Sequence, residues 1–119
     1  MRTHKDLEVW KKSISLVTEI YSSTKSFPKE EMYGLTNQIR RAAVSVPSNI
    51  SEGAARQTNK EFIQFLYIAL GSNSELETQL LIAYNLKFIS NNDYKNCNQQ
   101  VDEIGKMLNG LISYRKSKP

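Results

Sequence analysis

The sequence predicts an all-α protein: an up-down-up-down antiparallel four-helix bundle, with residues 1–119 forming one domain. Three observations carry that prediction. Four separate segments repeat apolar residues at spacings of three and four, the period of a helix that buries one face. No segment sustains the period-two alternation of a strand, and Asn109-Gly110, the one pair that could form a tight hairpin turn, falls inside a helical stripe. Only 5 Gly and 3 Pro occur in 119 residues, too few for long loops or low-complexity linkers.

The first helix is expected over residues 6–25, capped by Asp6, with Leu7, Trp10, Ile14, Val17 and Tyr21 as its core-facing stripe. Ser22-Ser23-Thr24 weakens it and Phe27-Pro28 ends it. The second is expected over 29–55. Pro28 suits the first turn, and Glu30 and Glu31 sit beside the positive end of the helix dipole. Its stripe of Leu35, Ile39, Ala42, Val46, Ile50 and Gly53 keeps phase across Pro47, so a kink near Pro47 is expected rather than a break. The third, over 59–88, opens on Thr58 or Asn59, with Glu61 placed as in a capping box. Phe62, Leu66, Ala69, Leu76, Leu80 and Ala83 form its stripe, widened by Ile63, Phe65, Leu70 and Leu81. The fourth, over 92–115, repeats Tyr94, Cys97, Val101, Ile104, Leu108 and Leu111.

Composition narrows the chemistry. Sixteen Lys+Arg against twelve Asp+Glu give a net charge of +4, which permits attraction to phosphate polyanions without requiring it. A single Cys excludes an internal disulfide or a thiolate cluster, and the single His, His4, removes most histidine-dependent catalysis. Cys97 lies on a core stripe and reads as a small hydrophobe. Glu75 and Glu77 diverge around their helix with no His after either, so the di-iron pattern is absent. The glycines are isolated and make no phosphate loop. No catalytic residue, metal or cofactor is therefore expected. The most apolar stretch, Phe62 to Ala83, carries Gln64, Ser72, Asn73, Glu75, Glu77 and Gln79, so no membrane partner is expected and a cytoplasmic location is.

Polar residues on the middle helices define two candidate groups. If helices two and three run antiparallel about a turn near Arg56–Thr58, Arg40 faces Glu75 and Arg41 lies near Ser74 and Asn73. Ser45 then faces Leu70 and Gly71, where the absent side chain lets the helices approach. Arg40, Asn49, Glu52, Asn73, Glu75 and Glu77 are the candidate structural polar network, with Arg40–Glu75 as an ion pair that fixes register. Asn73, in phase with the core stripe, needs hydrogen-bond partners inside the bundle. Arg41 stands open between an internal role and a phosphate contact. Residues Glu31 to Ser90 balance to neutrality, so the positive excess belongs to the outer helices and the chain ends. Lys11, Lys12, Arg41, Arg56, Lys60, Arg115 and Lys116 are the candidate nucleic-acid contacts, although each alone reads as a solvated helix face. Trp10, Tyr21 and Tyr94 fall on stripes expected to be buried, where they pack rather than stack on bases.

Particular strings add a resemblance. They are Asp6-Leu-Glu-Val-Trp10-Lys, Leu35-Thr-Asn-Gln-Ile-Arg-Arg-Ala-Ala-Val-Ser-Val-Pro-Ser-Asn-Ile-Ser-Glu-Gly53 and Glu61-Phe-Ile-Gln-Phe-Leu-Tyr-Ile-Ala-Leu-Gly-Ser-Asn-Ser-Glu-Leu-Glu-Thr-Gln-Leu80. Together they resemble the bacterial four-helix bundle proteins encoded in intervening sequences of 23S ribosomal RNA genes, often described as ribosomal-protein-like. Asn49-Ile-x-Glu52-Gly53 and Gly71-Ser-x-x-Glu75-Leu-Glu77-Thr are specific in combination, and Ser51 stands where Ala is usual. The bundle is also similar to the accessory variability protein of diversity-generating retroelements, a pentameric barrel whose basic surface engages nucleic acid. The resemblance implies a homo-oligomer, a pentamer, associated with RNA or a ribonucleoprotein, and it carries over no catalytic residue. The functional expectation is a non-enzymatic oligomeric bundle that meets RNA through basic outer surfaces. A protein-interaction scaffold with no nucleic-acid role is the alternative, and RNA, DNA and a protein all remain open as partners.

Overall fold

Helix α1 spans Glu8–Ser23, α2 Leu35–Ala54, α3 Asn59–Asn85 and α4 Asn91–Lys116, with a single 3₁₀ turn at Lys29–Glu31 ahead of α2. These elements come from a computed structural model that describes residue 4 and residues 7–118; Asp6, the expected cap of the first helix, lies outside the described residues. No strand occurs among the described residues.

The second helix begins six residues later than the sequence suggests, at Leu35 rather than Lys29. Glu31 accounts for the shift. From the preceding turn its Oε1 accepts the Leu35 N–H at 3.2 Å, so it caps α2 instead of sitting in its first turn. The helix then runs unbroken through the buried Pro47. At the start of α3, Thr58 Oγ1 accepts the Glu61 N–H at 3.1 Å and donates to the Glu61 carboxylate at 2.9 Å. Helix α3 ends in a Schellman-type turn: Phe88 N–H bonds to Ala83 O at 2.9 Å and Lys87 N–H to Tyr84 O at 3.0 Å. Lys87 takes the left-handed conformation there, with φ 64°, in a position that glycine usually fills.

The helices pack in a closed ring, α1 on α2, α2 on α3, α3 on α4 and α4 on α1. Ile20, Ile39, Ile50, Leu66, Leu76, Leu80, Ile104 and Leu108 fill the centre. Cross-helix pairs set the register. Ser45 Oγ lies 2.8 Å from Ser72 Oγ, while Gly53, further along α2, meets Phe62 and Phe65, earlier on α3. The close approach between these helices is at Gly53, not at Gly71 as the antiparallel register suggested. A Cβ at Gly53 would fall 2.6 Å from Phe65 Cβ, whereas one at Gly71 would meet nothing within 4 Å. Between α3 and α4, Asn59 meets Arg115, Asn73 meets Val101 and Tyr84 stacks on Tyr94.

Helix α1 departs most from the sequence reading. Its buried residues are Val9, Ser13, Leu16, Ile20 and Ser23. Trp10 and Val17 are half-buried, and Ile14 and Tyr21 are 41% and 42% exposed. The helix carries two neighbouring apolar stripes, and the one containing small serines turns inward. Ser13 Oγ satisfies itself on the Trp10 carbonyl at 2.8 Å, and Ser23 Oγ lies 3.9 Å from Cys97 Sγ, so neither hydroxyl is buried without a partner.

Candidate nucleic-acid interface

The molecule measures 48 × 23 × 21 Å, so its two ends are well separated. One end collects the start of α1, the connection from α2 to α3, the first turn of α3 and the last turn of α4. Arg56, Lys60, Arg115 and Lys116, four of the seven candidate contacts, meet there, joined by Lys118.

Aromatic rings hold most of these cations in place. Arg56 Cζ lies 4.8 Å from the Phe65 ring centre, Arg115 Cζ 4.8 Å from Phe62, Lys116 Nζ 5.0 Å from Tyr67 and Lys118 Nζ 4.5 Å from Tyr114. A ring face attracts a cation without cancelling its charge. Arg56 alone has carboxylates, Glu52 at 2.8 Å and Glu61 at 3.9 Å. Among the described residues Lys60, Arg115, Lys116 and Lys118 have no carboxylate within ion-pair distance. Asn59 Nδ2 donates to the Arg115 carbonyl at 2.7 Å, which ties the start of α3 to the end of α4. Between these elements lies a cleft of about 430 Å³ lined by Leu7, Ala54, Arg56, Thr58, Asn59, Leu111, Arg115 and Lys118. Convergent cations around a cleft of mixed polar and apolar lining can bind phosphate oxygens by charge-assisted hydrogen bonds.

The other three candidates lie elsewhere. Lys11 pairs with Glu8 at 3.4 Å and Lys12 with Glu103 at 2.7 Å, which uses their charge locally. The hydrogen bond and positive charge of Lys12 hold the Glu103 carboxyl below its ordinary range. Arg41 is exposed along α2, away from the basic end. Lys118 and the rings beneath the cations were not singled out from sequence. The signal was available: antiparallel register of α3 against α4 brings residues near 60 to residues near 115.

The polar group of the middle helices separates into local pairs. Arg40 does not meet Glu75; its Nε donates to Thr24 Oγ1 at 2.9 Å, and its guanidinium lies 4.6 Å from the Tyr21 ring centre. Helical geometry explains the correction. At about 100° per residue, Arg40 points away from Asn49 and Gly53, the side of α2 that meets α3, and toward α1. Glu75 and Glu77 are exposed and make no ion pair among the described residues. Asn49 Nδ2 donates to Ser45 O at 2.8 Å and to Ser45 Oγ at 2.9 Å, and Glu52 serves Arg56. Asn73 is buried and donates to the Val101 carbonyl at 2.9 Å, and its Oδ1 has no partner among the described residues.

Cys97 offers no nucleophile near neutral pH. Burial pushes its thiol up to about 11, against a weaker opposing effect of the Ser23 hydrogen bond. Among the described residues no three His, Cys, Asp or Glu side chains gather as metal ligands, and no helix is long and apolar enough to cross a membrane.

Residues 5–110 match the family described as 23S rRNA-intervening sequence protein. The chain belongs to this family. Its fold is similar to the crystal structure of a protein of unknown function from the S23 ribosomal protein family of Bacteroides thetaiotaomicron VPI-5482. That likeness has a TM-score of 0.81 and 29% sequence identity, and it covers 88% of this chain and 95% of the other. No curated protein matches the chain. The matched segment contains Arg56 and Lys60, while Arg115, Lys116 and Lys118 follow it.

Proposed function

We propose that this family member is a non-enzymatic RNA-associated bundle that contacts phosphates through the basic end. The observation that carries the reading is the convergence of five cations, four of them without carboxylate partners among the described residues, from two stretches distant in sequence, residues 56–60 and 115–118. The family description, which ties these proteins to 23S rRNA genes, is consistent with an RNA partner. Phosphate contacts of this kind give sequence-tolerant binding that weakens linearly in log salt, with a slope near −0.7 per contact for single strands. Titration of a mixed-sequence single-stranded RNA at rising salt tests this. Tight binding at low salt and a slope of about −2 to −4 are expected; absence of binding at low salt overturns the reading.

A second observation favours an assembly role. Trp10, Ile14 and Val17 of α1 lie beside Val44 and Pro47 of α2 around a shallow groove of about 260 Å³, in which Ile14 and Val44 are exposed and Trp10 and Val17 half-buried. Exposed apolar residues in one patch mark interaction surfaces. A second copy of the chain is the proposed occupant, and a ring of five is the assembly that the resemblance to the retroelement protein implies. Such a ring would multiply the basic ends. Light scattering of the wild type and of Ile14→Lys reads this directly: an oligomer that dissociates on substitution supports the assembly, and a monomeric wild type contradicts it.

A further inference from the structure

We propose that the cleft at the basic end takes the terminal phosphate of an RNA strand, a phosphate monoester, rather than the phosphodiesters along it. The inference rests on the RNA-associated reading above and adds the chemistry of the occupant.

The shape of the cleft supplies the first argument. Residues from the ends of all four helices line it, with His4 and Leu7 beside α1, Ala54 on α2, Phe62 on α3 and Leu111 on α4. Leu7, Ala54, Phe62 and Leu111 give it a buried or half-buried apolar part, and the polar remainder includes three cations, the half-buried Arg115 and the exposed Arg56 and Lys118. A strand passing through would need two open sides. A pocket seated against the ends of the four helices suits a strand that stops there. The volume, about 430 Å³, lies within the range of small-ligand pockets and is sufficient for one nucleotide.

Charge supplies the second. An internal phosphodiester carries one negative charge, whereas a terminal monoester carries nearly two near neutral pH. Arg115, Lys118 and Arg56 line this one cleft, and of these only Arg56 is matched by carboxylates among the described residues. Arg115 is also held in position. Its guanidinium packs over Phe62, its backbone is tied to Asn59, and its Nε is buried with no hydrogen-bond partner among the described residues. A cation fixed before the ligand arrives loses little freedom on binding. The third contribution is the start of α3. Thr58 and Asn59 line the cleft, so the positive end of the helix dipole adds to the side-chain charges.

The test compares one RNA oligonucleotide ending in a phosphate with the same oligonucleotide ending in a hydroxyl, using the full chain and fluorescence anisotropy. The phosphorylated form is expected to bind about tenfold tighter. The preference should shrink as pH falls below the second phosphate ionisation, near about pH 6. Arg115→Gln should abolish the preference while changing affinity for the hydroxyl end only a fewfold. Lys118→Gln, on the exposed rim, is the second variant should Arg115→Gln fail to fold, and circular dichroism monitors both. Equal affinity for the two ends overturns the proposal and leaves RNA association standing. Binding of neither oligonucleotide overturns both readings. Adenosine monophosphate binding as tightly as the phosphorylated strand overturns the strand as occupant.

Discussion

The two ends of the bundle use similar residue types for different purposes. At the end formed by the α1–α2 and α3–α4 connections, aromatic rings meet each other. Phe27 packs on Phe88 at 5.8 Å and Tyr84 stacks on Tyr94 at 4.3 Å, and the buried Phe27 and Ile89 close the core. Lys25, Lys29, Lys87 and Lys95 there are exposed, among Glu30, Glu31 and Asp93. At the opposite end the rings meet cations instead: Arg115 lies over Phe62, Lys116 over Tyr67 and Lys118 over Tyr114. The four lysines of the first end, equally without ion pairs, have no such ring beneath them among the described residues. Aromatic side chains thus pack on one another at one end, while at the other they lie beneath cations, the arrangement on which the proposed RNA contact rests. The net charge of the whole chain conceals this difference.

The contrast can be broken from either side, beginning with the largest effect. Phe27→Ala should destabilise the fold by about 3–5 kcal/mol in urea denaturation, yet leave RNA affinity unchanged wherever the variant remains folded. Gly53→Ala should cost about 1–3 kcal/mol, because the added methyl meets Phe65 and Phe62 and the helices must part. Arg40→Ala should cost about 1–2 kcal/mol through lost hydrogen bonding to Thr24 and packing on Tyr21. Glu75→Gln should stay within about 0.5 kcal/mol of wild type; a loss as large as that of Arg40→Ala would restore the ion pair that the structure replaces.

Titration effects are smaller. The Cys97 thiol ionises near about 11 when folded and near its ordinary value of 9.0 when unfolded. Burial therefore favours the folded state fully below pH 9.0, and the advantage disappears as pH rises toward about 11, where unfolding measured against Cys97→Ala should show it. Glu103 runs the other way. Its lowered carboxyl contributes stability above the ordinary carboxylate range that is lost as pH falls through the folded value. Its exposure makes this the smallest effect, and Lys12→Gln should remove it.

The stripes of α2 and α3, and most of that of α4, were legible because apolar residues at spacings of three and four coincide with the buried line of each helix, even though α3 also carries the exposed Tyr67, Ile68, Leu81 and Ile82. Helix α1 was not, because Trp10, Ile14, Val17 and Tyr21 outweigh Ser13 and Ser23 in hydrophobicity although the serines are buried. A hydroxyl that bonds back to its own helix is compact and satisfied, and a count of apolar residues does not register that. The candidate site was half legible. Placing the excess charge toward the chain ends located Arg115 and Lys116. Arg56 and Lys60 stood among the candidates as well, but treating residues 31–90 as one neutral block concealed that they lie at its turn and meet the end of α4. Arg40 was misplaced because helix register alone pairs residue numbers, whereas the angle around the helix decides which neighbour is reached.

One measurement bears most directly on the basic end as the RNA contact: salt-dependent RNA binding by two variants that remove equal charge. The first carries Lys60→Gln, Arg115→Gln, Lys116→Gln and Lys118→Gln; the second carries Lys25→Gln, Lys29→Gln, Lys87→Gln and Lys95→Gln. The account predicts that the first loses about a hundredfold or more in affinity at low salt, with the salt slope falling by about 2 to 3, while the second stays close to wild type. Equal losses in the two variants would contradict it, since binding would then follow net charge and not the end of the bundle that carries it.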